Sequence, residues 1–249
     1  MKILLAACNA KYIHSNLAVF NLKAYAKEYD SQVVLREYTI NQLKDDILKD
    51  IYRCHPDVVC VSCYIWNITF VRELMQDLRK ILPDVPFWAG GPEVSYDAET
   101  FLGKNPAFNG VMVGEGEETF LELVKHYVDG SVTLEETRGL VYRKADGALQ
   151  NNGWRQLMDL SKVPFAYENL EDFENRIIYY ESSRGCPFSC SYCLSSIDKK
   201  LRFRDLDLVK KELQFFLDHR VPQVKFVDRT FNCKHEHAMT IWKYILEHD

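Results

Sequence analysis

Three cysteines, Cys186, Cys190 and Cys193, lie close together in the segment CPFSCSYC. Thiolates at this spacing on one loop can converge on a single inorganic centre. Structural zinc sites and ferredoxin-type clusters normally use four protein ligands. Three ligands leave one iron of a 4Fe–4S cube open to a substrate or a cofactor. The spacing therefore predicts an iron–sulfur site with an open coordination position.

A zinc knuckle is the alternative for the same cysteines, and it would stabilise an interaction domain. Its fourth ligand would come from Cys233, His235 or His237 in the segment CKHEH. That segment is better explained as the solvated start of a helix. Cys60 and Cys63 also have C-x2-C spacing, but they straddle a predicted strand end and lack a second pair. We therefore expect them to be core thiols.

Composition excludes several classes of protein. The 249 residues are 47% apolar and 27% charged, as in ordinary globular proteins, which excludes disordered and fibrous chains. The net charge of −5 argues against a nucleic-acid-binding surface. No apolar run approaches the roughly 20 residues of a membrane span, and the start MKILLAACNA reads as a first strand. A chain of this length needs no disulfide framework for its eight cysteines, so we expect a cytoplasmic protein.

The elements that must position the chemistry begin with a βα alternation. Short apolar runs predict strands at 2–8, 32–37, 57–63, 86–89 and 109–113. Between and after them, amphipathic stretches predict helices at 16–29, 41–52, 67–82 and 117–127. This order predicts a doubly wound α/β domain with a parallel five-stranded sheet over residues 1–130.

From residue 131 the pattern changes. Apolar stretches at 139–143 and 149–153 around an Asp-Gly turn predict a small hairpin within a connector that reaches residue 175. A new βα pattern follows, with strands at 177–182 and 223–227 and helices at 205–219 and 235–248. Two parallel strands do not make a stable independent sheet. We therefore expect residues 176–249 to be the incomplete start of a larger domain, and the chain to be an N-terminal fragment of a longer protein.

Four loops at the carboxyl ends of the predicted strands carry unusual residues. They are NAKYIHSN at 9–16, SCYIWN at 62–67, GGPE at 90–93 and GEGE at 114–117. Glycines allow close approach of the backbone to a ligand, and helix N-termini favour anionic groups. Each glycine pair is also explained by a tight strand-to-helix turn. Four such loops at one sheet edge favour a large, flat, phosphate-bearing cofactor.

The segment ESSRGCPFSCSYC resembles the cluster loop of radical S-adenosylmethionine (SAM) enzymes. The resemblance implies that the three cysteines hold a 4Fe–4S cluster whose open iron binds SAM, which is cleaved reductively to a 5′-deoxyadenosyl radical. It implies SAM contacts from Phe188 and Tyr192, and from Asp228 and Arg229 after the second barrel strand. The segment KFVDRTFN there lacks the family's Gly-Gly-Glu. Asp228 equally fits a carboxylate that caps or orients a helix.

Residues 1–130 are similar to the flavodoxin-like cobalamin-binding domains that precede radical SAM modules, in loop order and in the Gly-Gly and Gly-Glu-Gly-Glu signatures. The segments NAKYIHSNLA, SCYIWN, GGPEVSYD and VDRTFN are similar to one bacterial subgroup of these proteins. The resemblance implies that cobalamin is bound by Asn9, Tyr12, His14, Ser62, Tyr64, Trp66, Asn67, Gly90, Gly91, Pro92, Glu93, Gly114, Glu115 and Gly116.

One departure concerns the lower axial ligand of cobalamin. The Asp-x-His-x-x-Gly motif of methionine-synthase-like domains is absent. His14 lies in the corresponding loop without the flanking Asp and Gly, and a lone histidine there is more often a packing residue than a metal ligand. The resemblance then implies either cobalamin bound without a protein histidine or a domain that has kept the fold and lost the cofactor.

The resemblances imply a radical SAM enzyme with a cobalamin-binding domain, which transfers a methyl or alkyl group, or does other radical chemistry, on a small-molecule or unknown substrate. Residues 176–249 would begin its partial TIM barrel, and a flavodoxin or ferredoxin would donate electrons. We expect this segment alone to be inactive, and neither a membrane nor a nucleic acid to be a partner. The alternatives are a non-catalytic cobalamin carrier and the zinc-stabilised interaction domain.

Overall fold

A computed structural model describes residues 1–197 and 200–248, so residues 198, 199 and 249 lie outside the description. The chain divides into two units, Met1–Leu157 and Met158–Asp249. The strands of the first unit are β1 (Ile3–Asn9), β2 (Val33–Thr39), β3 (Val58–Ser62), β4 (Phe87–Gly90), β5 (Gly110–Met112), β6 (Leu140–Arg143) and β7 (Leu149–Asn151). Its helices are α1 (Leu17–Tyr25), α2 (Lys44–Cys54), α3 (Ile68–Ile81), α4 (Pro92–Ser95), α5 (Ala98–Lys104) and α6 (Glu117–Val128).

The first unit has one sheet, in the order β2-β1-β3-β4-β5-β6-β7. The first five strands pair in parallel, and β6 and β7 pair antiparallel. The order 2-1-3-4-5 is that of flavodoxin-like folds, in which the strand order reverses at β1 and β3. The predicted α/β fold with five parallel strands is therefore confirmed.

Alternation along β1 explains why helices cover both faces of the sheet. Leu4, Ala6 and Cys8 belong to one apolar core, which also contains buried residues of α2 and α3. Ile3, Leu5 and Ala7 belong to the other core, with buried residues of α1 and α6. Because successive side chains of a strand point to opposite faces, a continuous apolar run is what a strand buried on both sides requires.

The predicted hairpin forms, but it lies within the sheet of the first unit. Strand β6 pairs with the edge of β5, with Val111 opposite Val141, and β7 pairs with β6. An uncovered β5 edge would leave backbone groups without partners, and the apolar residues of β6 are buried when they complete it. The division between the units therefore falls at 157/158, whereas the sequence predicts boundaries at 130 and 175.

The second unit contains short strands and two long helices. Its elements are β8 (Ile178–Tyr180), β9 (Ser183–Arg184), β10 (Arg202–Phe203), α7 (Leu206–Asp218), β11 (Val224–Phe226) and α8 (His235–His248). Strands β8 and β11 pair in parallel, and β9 pairs antiparallel with β10. Asp205 begins α7, because its side chain accepts hydrogen bonds from the backbone amides of Asp207 and Leu208. No helix in the two described ranges has the length and apolar character to cross a membrane.

Candidate functional site: a sheet edge and a cysteine loop

The carboxyl ends of the parallel strands in the first unit form one row. Ala7 of β1 lies opposite Ser62 of β3, Ser62 lies opposite Gly90 of β4, and Gly90 lies opposite Met112 of β5. All four predicted loops therefore leave the sheet at the same edge. This edge is where open α/β sheets bind their ligands.

A polar network joins the ends of β1, β2 and β3. The Asn9 side-chain amide donates to the His14 carbonyl (2.9 Å) and to Glu37 Oε1 (2.7 Å). The Asn16 backbone amide donates to the same Glu37 oxygen (2.8 Å), and its side-chain amide donates to Ser62 Oγ (3.2 Å). Asn9, Ser62 and Asn16 are all buried. The predicted residues Asn9 and Ser62 therefore connect the loop 9–16 to the ends of β2 and β3.

The side-chain oxygen of Asn16 is the exception in this network. Asn16 Oδ1 is buried, and none of the residues that the structure describes donates a hydrogen bond to it. A buried acceptor without a donor is costly, so it marks a point at which a ligand donor would be stabilised. The sequence prediction omits Asn16, although it is the last residue of the loop 9–16.

Asn67 has an internal role. Its side-chain amide donates to the carbonyls of Cys8 (2.9 Å) and Ser62 (3.1 Å), and its Oδ1 accepts from the Tyr64 amide (2.7 Å). With 1% of its surface exposed, Asn67 fixes the loop after β3 on the end of β1. Both hydrogens of its side-chain amide are used in these bonds. The second lone pair of Oδ1 is then the one position at which this side chain could still bind a ligand.

Aromatic side chains of the same loops are exposed. Tyr12 is 71% exposed and Trp66 is 48% exposed. Tyr64 stacks on Trp66, with ring centroids 4.4 Å apart and ring planes at 11°. Trp154, which the sequence prediction misses, is 49% exposed and lies against Gly114. Exposed apolar surface concentrated at one edge is typical of a binding site, and flat rings suit a flat ligand.

The glycine-rich loops are explained in part by packing. Gly91 has φ +109°, and a Cβ atom there would lie 2.5 Å from the Cys63 carbonyl oxygen. The close approach at Gly91 is thus to backbone of the neighbouring loop. Among the other predicted residues, Gly90, Pro92, Glu115 and Gly116 are half-buried, whereas Glu93 and Gly114 are exposed. His14 is half-buried; its backbone carbonyl accepts a hydrogen bond from Asn9, and its backbone amide donates to the Lys11 carbonyl (3.2 Å).

Cys60 and Cys63 are buried free thiols, as predicted. Cys8 is buried with them in the first unit. Burial raises the pKa of the Cys8 thiol to about 12 and raises the pKa of Cys60 and Cys63 above the ordinary thiol range. These three thiols are therefore protonated at neutral pH and act as small apolar side chains.

The three cysteines of the second unit lie in a different environment. Cys190 is exposed, Cys186 and Cys193 are half-buried, and all three are free thiols on the loop between β9 and β10. Hydrogen bonds from the backbone and side chain of Ser195 lower the pKa of Cys193, and the Arg229 guanidinium lowers it further. Both effects favour the thiolate, which is the form that binds metal.

The donor set fits an iron–sulfur cluster. Within residues 1–197 and 200–248, no three Cys, His, Asp or Glu side chains converge in the way that the ligands of one ion do. The thiolates of a 4Fe–4S cube bind different irons, so their sulfurs lie further apart than the ligands of one ion. Three reduced thiols on one loop, one of them with a lowered pKa, are donors that iron–sulfur chemistry uses.

The residues predicted to contact SAM separate into two groups. Phe188 is 56% exposed and Tyr192 is 92% exposed, and the Arg229 side chain is exposed near Cys193. Asp228 instead accepts hydrogen bonds from the Ser182 amide (2.8 Å), Ser182 Oγ (2.6 Å) and Ser183 Oγ (2.6 Å). Its carboxylate therefore binds the segment that precedes the cysteine loop and not the end of a helix, and its contact with SAM stays a prediction.

The sequence predicts a solvated start for the helix at CKHEH, and the burial of His237 shows that this is wrong for one of its residues. Helix α8 begins at His235 as predicted, and His235 is exposed, but His237 is 1% exposed. Its Nε2 lies 3.1 Å from Ser182 Oγ, and its ring packs on Phe203. Residues two apart on a helix are separated by about 200°, so they face opposite sides. The CKHEH segment therefore places one histidine in solvent and the other in the core.

Comparisons with known proteins match the first unit by itself and most of the whole chain. Residues 3–124 match the B12 binding domain family. The chain is 26% identical over 231 residues to the cobalamin-dependent radical SAM methyltransferase TokK of Streptomyces tokunonensis, covering 84% of this chain and 33% of the relative. It is 22% identical over 205 residues to the anaerobic magnesium-protoporphyrin IX monomethyl ester cyclase of Cereibacter sphaeroides, covering 77% of this chain and 32% of the relative.

A solved structure has the same fold. The cobalamin-dependent SAM radical enzyme OxsB, determined with aqua-cobalamin and SAM bound, superposes with a TM-score of 0.78 at 18% identity. The match covers 98% of this chain and 37% of OxsB. The chain thus spans about a third of the length of these relatives.

Proposed function

We propose that the protein is a cobalamin-dependent radical SAM methyltransferase, on the premise that residues 3–124 match the B12 binding domain family. Its first unit would bind cobalamin, and its cysteine loop would bind a 4Fe–4S cluster and SAM. One observation supports the proposal above all. The family match covers the strands whose carboxyl ends carry the exposed rings and the buried Asn16 oxygen.

The chain's own residues divide the work of binding. Tyr12 and Trp66 offer flat apolar surface to the macrocycle, while Asn16 Oδ1 offers an acceptor to one of its amide or hydroxyl donors. Cys186, Cys190 and Cys193 would hold the cluster, with Phe188, Tyr192 and Arg229 beside SAM. When bound, the reduced cluster supplies the electron that cleaves SAM, and cobalamin carries the methyl group.

The same proposal includes three further points: a flavodoxin or ferredoxin donates electrons, the substrate is a small molecule, and the protein is cytoplasmic. Free, partly exposed thiols are maintained where the surroundings are reducing. Because the cyclase relative carries a different activity in its name at similar identity, another radical reaction on the same two cofactors is the second candidate.

Cobalamin binding is tested with a matched pair of aromatic variants. Trp66 is 48% exposed at the carboxyl edge of the sheet, and Tyr52 is 49% exposed near the end of α2, which leads into the opposite edge. We expect the chain and Tyr52→Ala to retain hydroxocobalamin after gel filtration, with its corrin absorption bands. Trp66→Ala should bind about ten-fold more weakly, as expected for the loss of one aromatic contact.

The same measurement separates the alternatives. Equal loss of affinity in both variants, or no corrin retained by the unsubstituted chain, contradicts the proposed cobalamin site. Anaerobic reconstitution of the full-length protein with iron and sulfide should give four irons per chain, an absorption near 400 nm and 5′-deoxyadenosine from SAM. Cobalamin without iron would indicate a carrier module, and one zinc without the chromophore would indicate an interaction domain.

A further inference from the structure

The cysteine loop leaves and re-enters the fold at one place, which we call the loop stem and define as residues 182–184 and 202–204. Ser183 pairs with Phe203, Arg184 pairs with Arg202, and the Arg204 amide donates to the Ser182 carbonyl (2.9 Å). Next to the stem, Gly185 has φ +97°, and a Cβ atom there would overlap the Lys200 carbonyl oxygen. The two strands of the stem are therefore held in close contact at the base of the loop.

One carboxylate outside the stem binds three of its polar hydrogens. Asp228 follows β11, and it accepts the amide and hydroxyl hydrogens of Ser182 and the hydroxyl hydrogen of Ser183. Ser182 and Ser183 are both buried, with at most 1% of their surface exposed. Hydrogen bonds to a charged acceptor in a buried position are among the stronger polar interactions in proteins. Asp228 is thus bonded to the stem from a neighbouring strand.

His237 completes the arrangement from α8. The Ser182 hydroxyl has a single hydrogen, which the 2.6 Å contact assigns to Asp228. The 3.1 Å contact of Ser182 Oγ with His237 Nε2 is then a bond in which the imidazole N–H donates. Ser182 is therefore bonded at its amide, its hydroxyl and its carbonyl.

We propose that Asp228 is a positioning residue that sets the stem of the cysteine loop through Ser182 and Ser183, with His237 fixing Ser182 from the other side. It acts on cluster binding through the loop, and not as a contact of SAM. This inference rests on the proposed function for the cluster itself, but the stem geometry is a property of the chain without any cofactor.

The first experiment uses the cluster-free protein and hydrogen exchange. The Ser182 amide donates directly to Asp228, so its exchange reports the contact. In Asp228→Asn, which keeps the size of the side chain and removes its charge, we expect this amide to exchange about ten-fold faster or more. Ser183→Ala should accelerate it less, because two of the three bonds remain. Asp207→Asn, which neutralises a carboxylate that is 93% exposed, should change nothing there.

The second experiment measures what the stem does for the loop. After anaerobic reconstitution, Asp228→Asn should hold less than half of the iron and sulfide of the unsubstituted protein, and its reduced cluster should have an altered electron paramagnetic resonance spectrum before SAM is added. Ser183→Ala should alter the same spectrum to a smaller extent, and Ser183→Thr, which restores the hydroxyl, should recover the spectrum of the unsubstituted protein. Protected amides in α7 and α8 would show that the second unit stays folded in these variants.

The outcomes distinguish positioning from SAM binding. If Asp228→Asn keeps its exchange rates, iron content and cluster spectrum but loses the spectral change on SAM addition, Asp228 is a SAM contact and the inference is wrong. If the unsubstituted protein takes up no iron, the proposed function fails. The hydrogen-exchange comparison still decides whether Asp228 holds the stem in that case.

Discussion

The central strands β1 and β3 of the first unit are covered by apolar side chains on both faces, whereas strand β8 of the second unit is bordered by charged and polar groups. Every residue of β3 is buried, in a core of aliphatic and aromatic side chains. Beside β8, Arg204 and Glu212 form an ion pair with 7% of each side chain exposed, and Tyr180 donates to Glu212 (2.6 Å). The apolar interior of the first unit should accept apolar substitutions that conserve side-chain volume. The interior of the second unit should be destabilised strongly when one partner of its buried ion pair is removed.

The cysteines show the same contrast in one residue type. In the first unit, Cys8, Cys60 and Cys63 are buried and their pKa values are raised. In the second unit, hydrogen bonds from Ser195 lower the pKa of the partly exposed Cys193. Sequence position alone does not separate a core thiol from a ligand. The surrounding dielectric and the donors around the sulfur do.

The largest effect expected from this contrast is a difference in alkylation rate between the cysteines of the two units. Iodoacetamide at pH 8 should modify Cys190 and the exposed Cys233 of the native chain rapidly, because their sulfurs are accessible. Burial raises the pKa of Cys8 from 9.0 to about 12, so its thiolate fraction is about a thousand-fold smaller than that of a thiol with a pKa of 9.0. Cys8 should therefore react at least about a thousand-fold more slowly than such an accessible thiol. Peptide mass spectrometry against time gives the rates. Modification of Cys8 as fast as Cys233, without unfolding, would remove the contrast.

The next effect is on stability, and it tests the ion pair beside β8. Glu212→Gln leaves the Arg204 charge buried without its anionic partner, and should lower the free energy of unfolding of the second unit by about 3–5 kcal/mol. Asp46→Asn in the first unit breaks a pair whose side chains are about two-thirds exposed, and should cost no more than about 1 kcal/mol. Urea titration followed by hydrogen exchange in each unit measures both. Equal costs would show that the second interior does not depend on its charges.

The same contrast explains which features the sequence could predict. Strands β1 and β3 and helix α3 follow from apolar periodicity, because their burial is repeated over many residues. The place of β6 in the first sheet could not be predicted, because it depends on which edge is open in three dimensions. In the candidate site, the spacing of the three cysteines predicts a cluster, and this stays a prediction. The role of Asp228, the burial of His237 and the exposed face of Trp154 depend on contacts between segments that are distant in sequence.

A smaller effect concerns two glycines that share a positive φ and differ in the space around them. For both Gly185 and Gly147 φ is positive, but no atom of the described part of the chain lies within 4 Å of a Cβ atom built at Gly147. Gly147→Ala therefore measures the backbone penalty alone. Gly185→Ala adds overlap with the Lys200 carbonyl at the loop stem, and we expect a further loss of about 1–3 kcal/mol in the second unit. Thermal unfolding of the pair checks this, and equal losses would show that the stem accommodates a side chain.

The smallest effect is a pH dependence confined to the second unit. Burial lowers the pKa of His237 below 6.5, Lys234 lowers it further, and the Asp228 charge opposes both. The folded state therefore binds a proton less readily than the unfolded chain. This contribution to stability is complete above pH 6.5 and is lost as the pH falls below that value.

His237→Gln removes this titration while keeping a side-chain N–H that can reach the position of the Ser182 bond. Between pH 6.5 and 5 the free energy of unfolding of the unsubstituted second unit should fall more steeply than that of the variant, by at most about 1.4 kcal/mol per pH unit. Above pH 7 the two curves should run parallel. Parallel curves over the whole range would mean that His237 binds its proton equally well in the folded and the unfolded state. Water would then reach the His237 side chain in the folded protein.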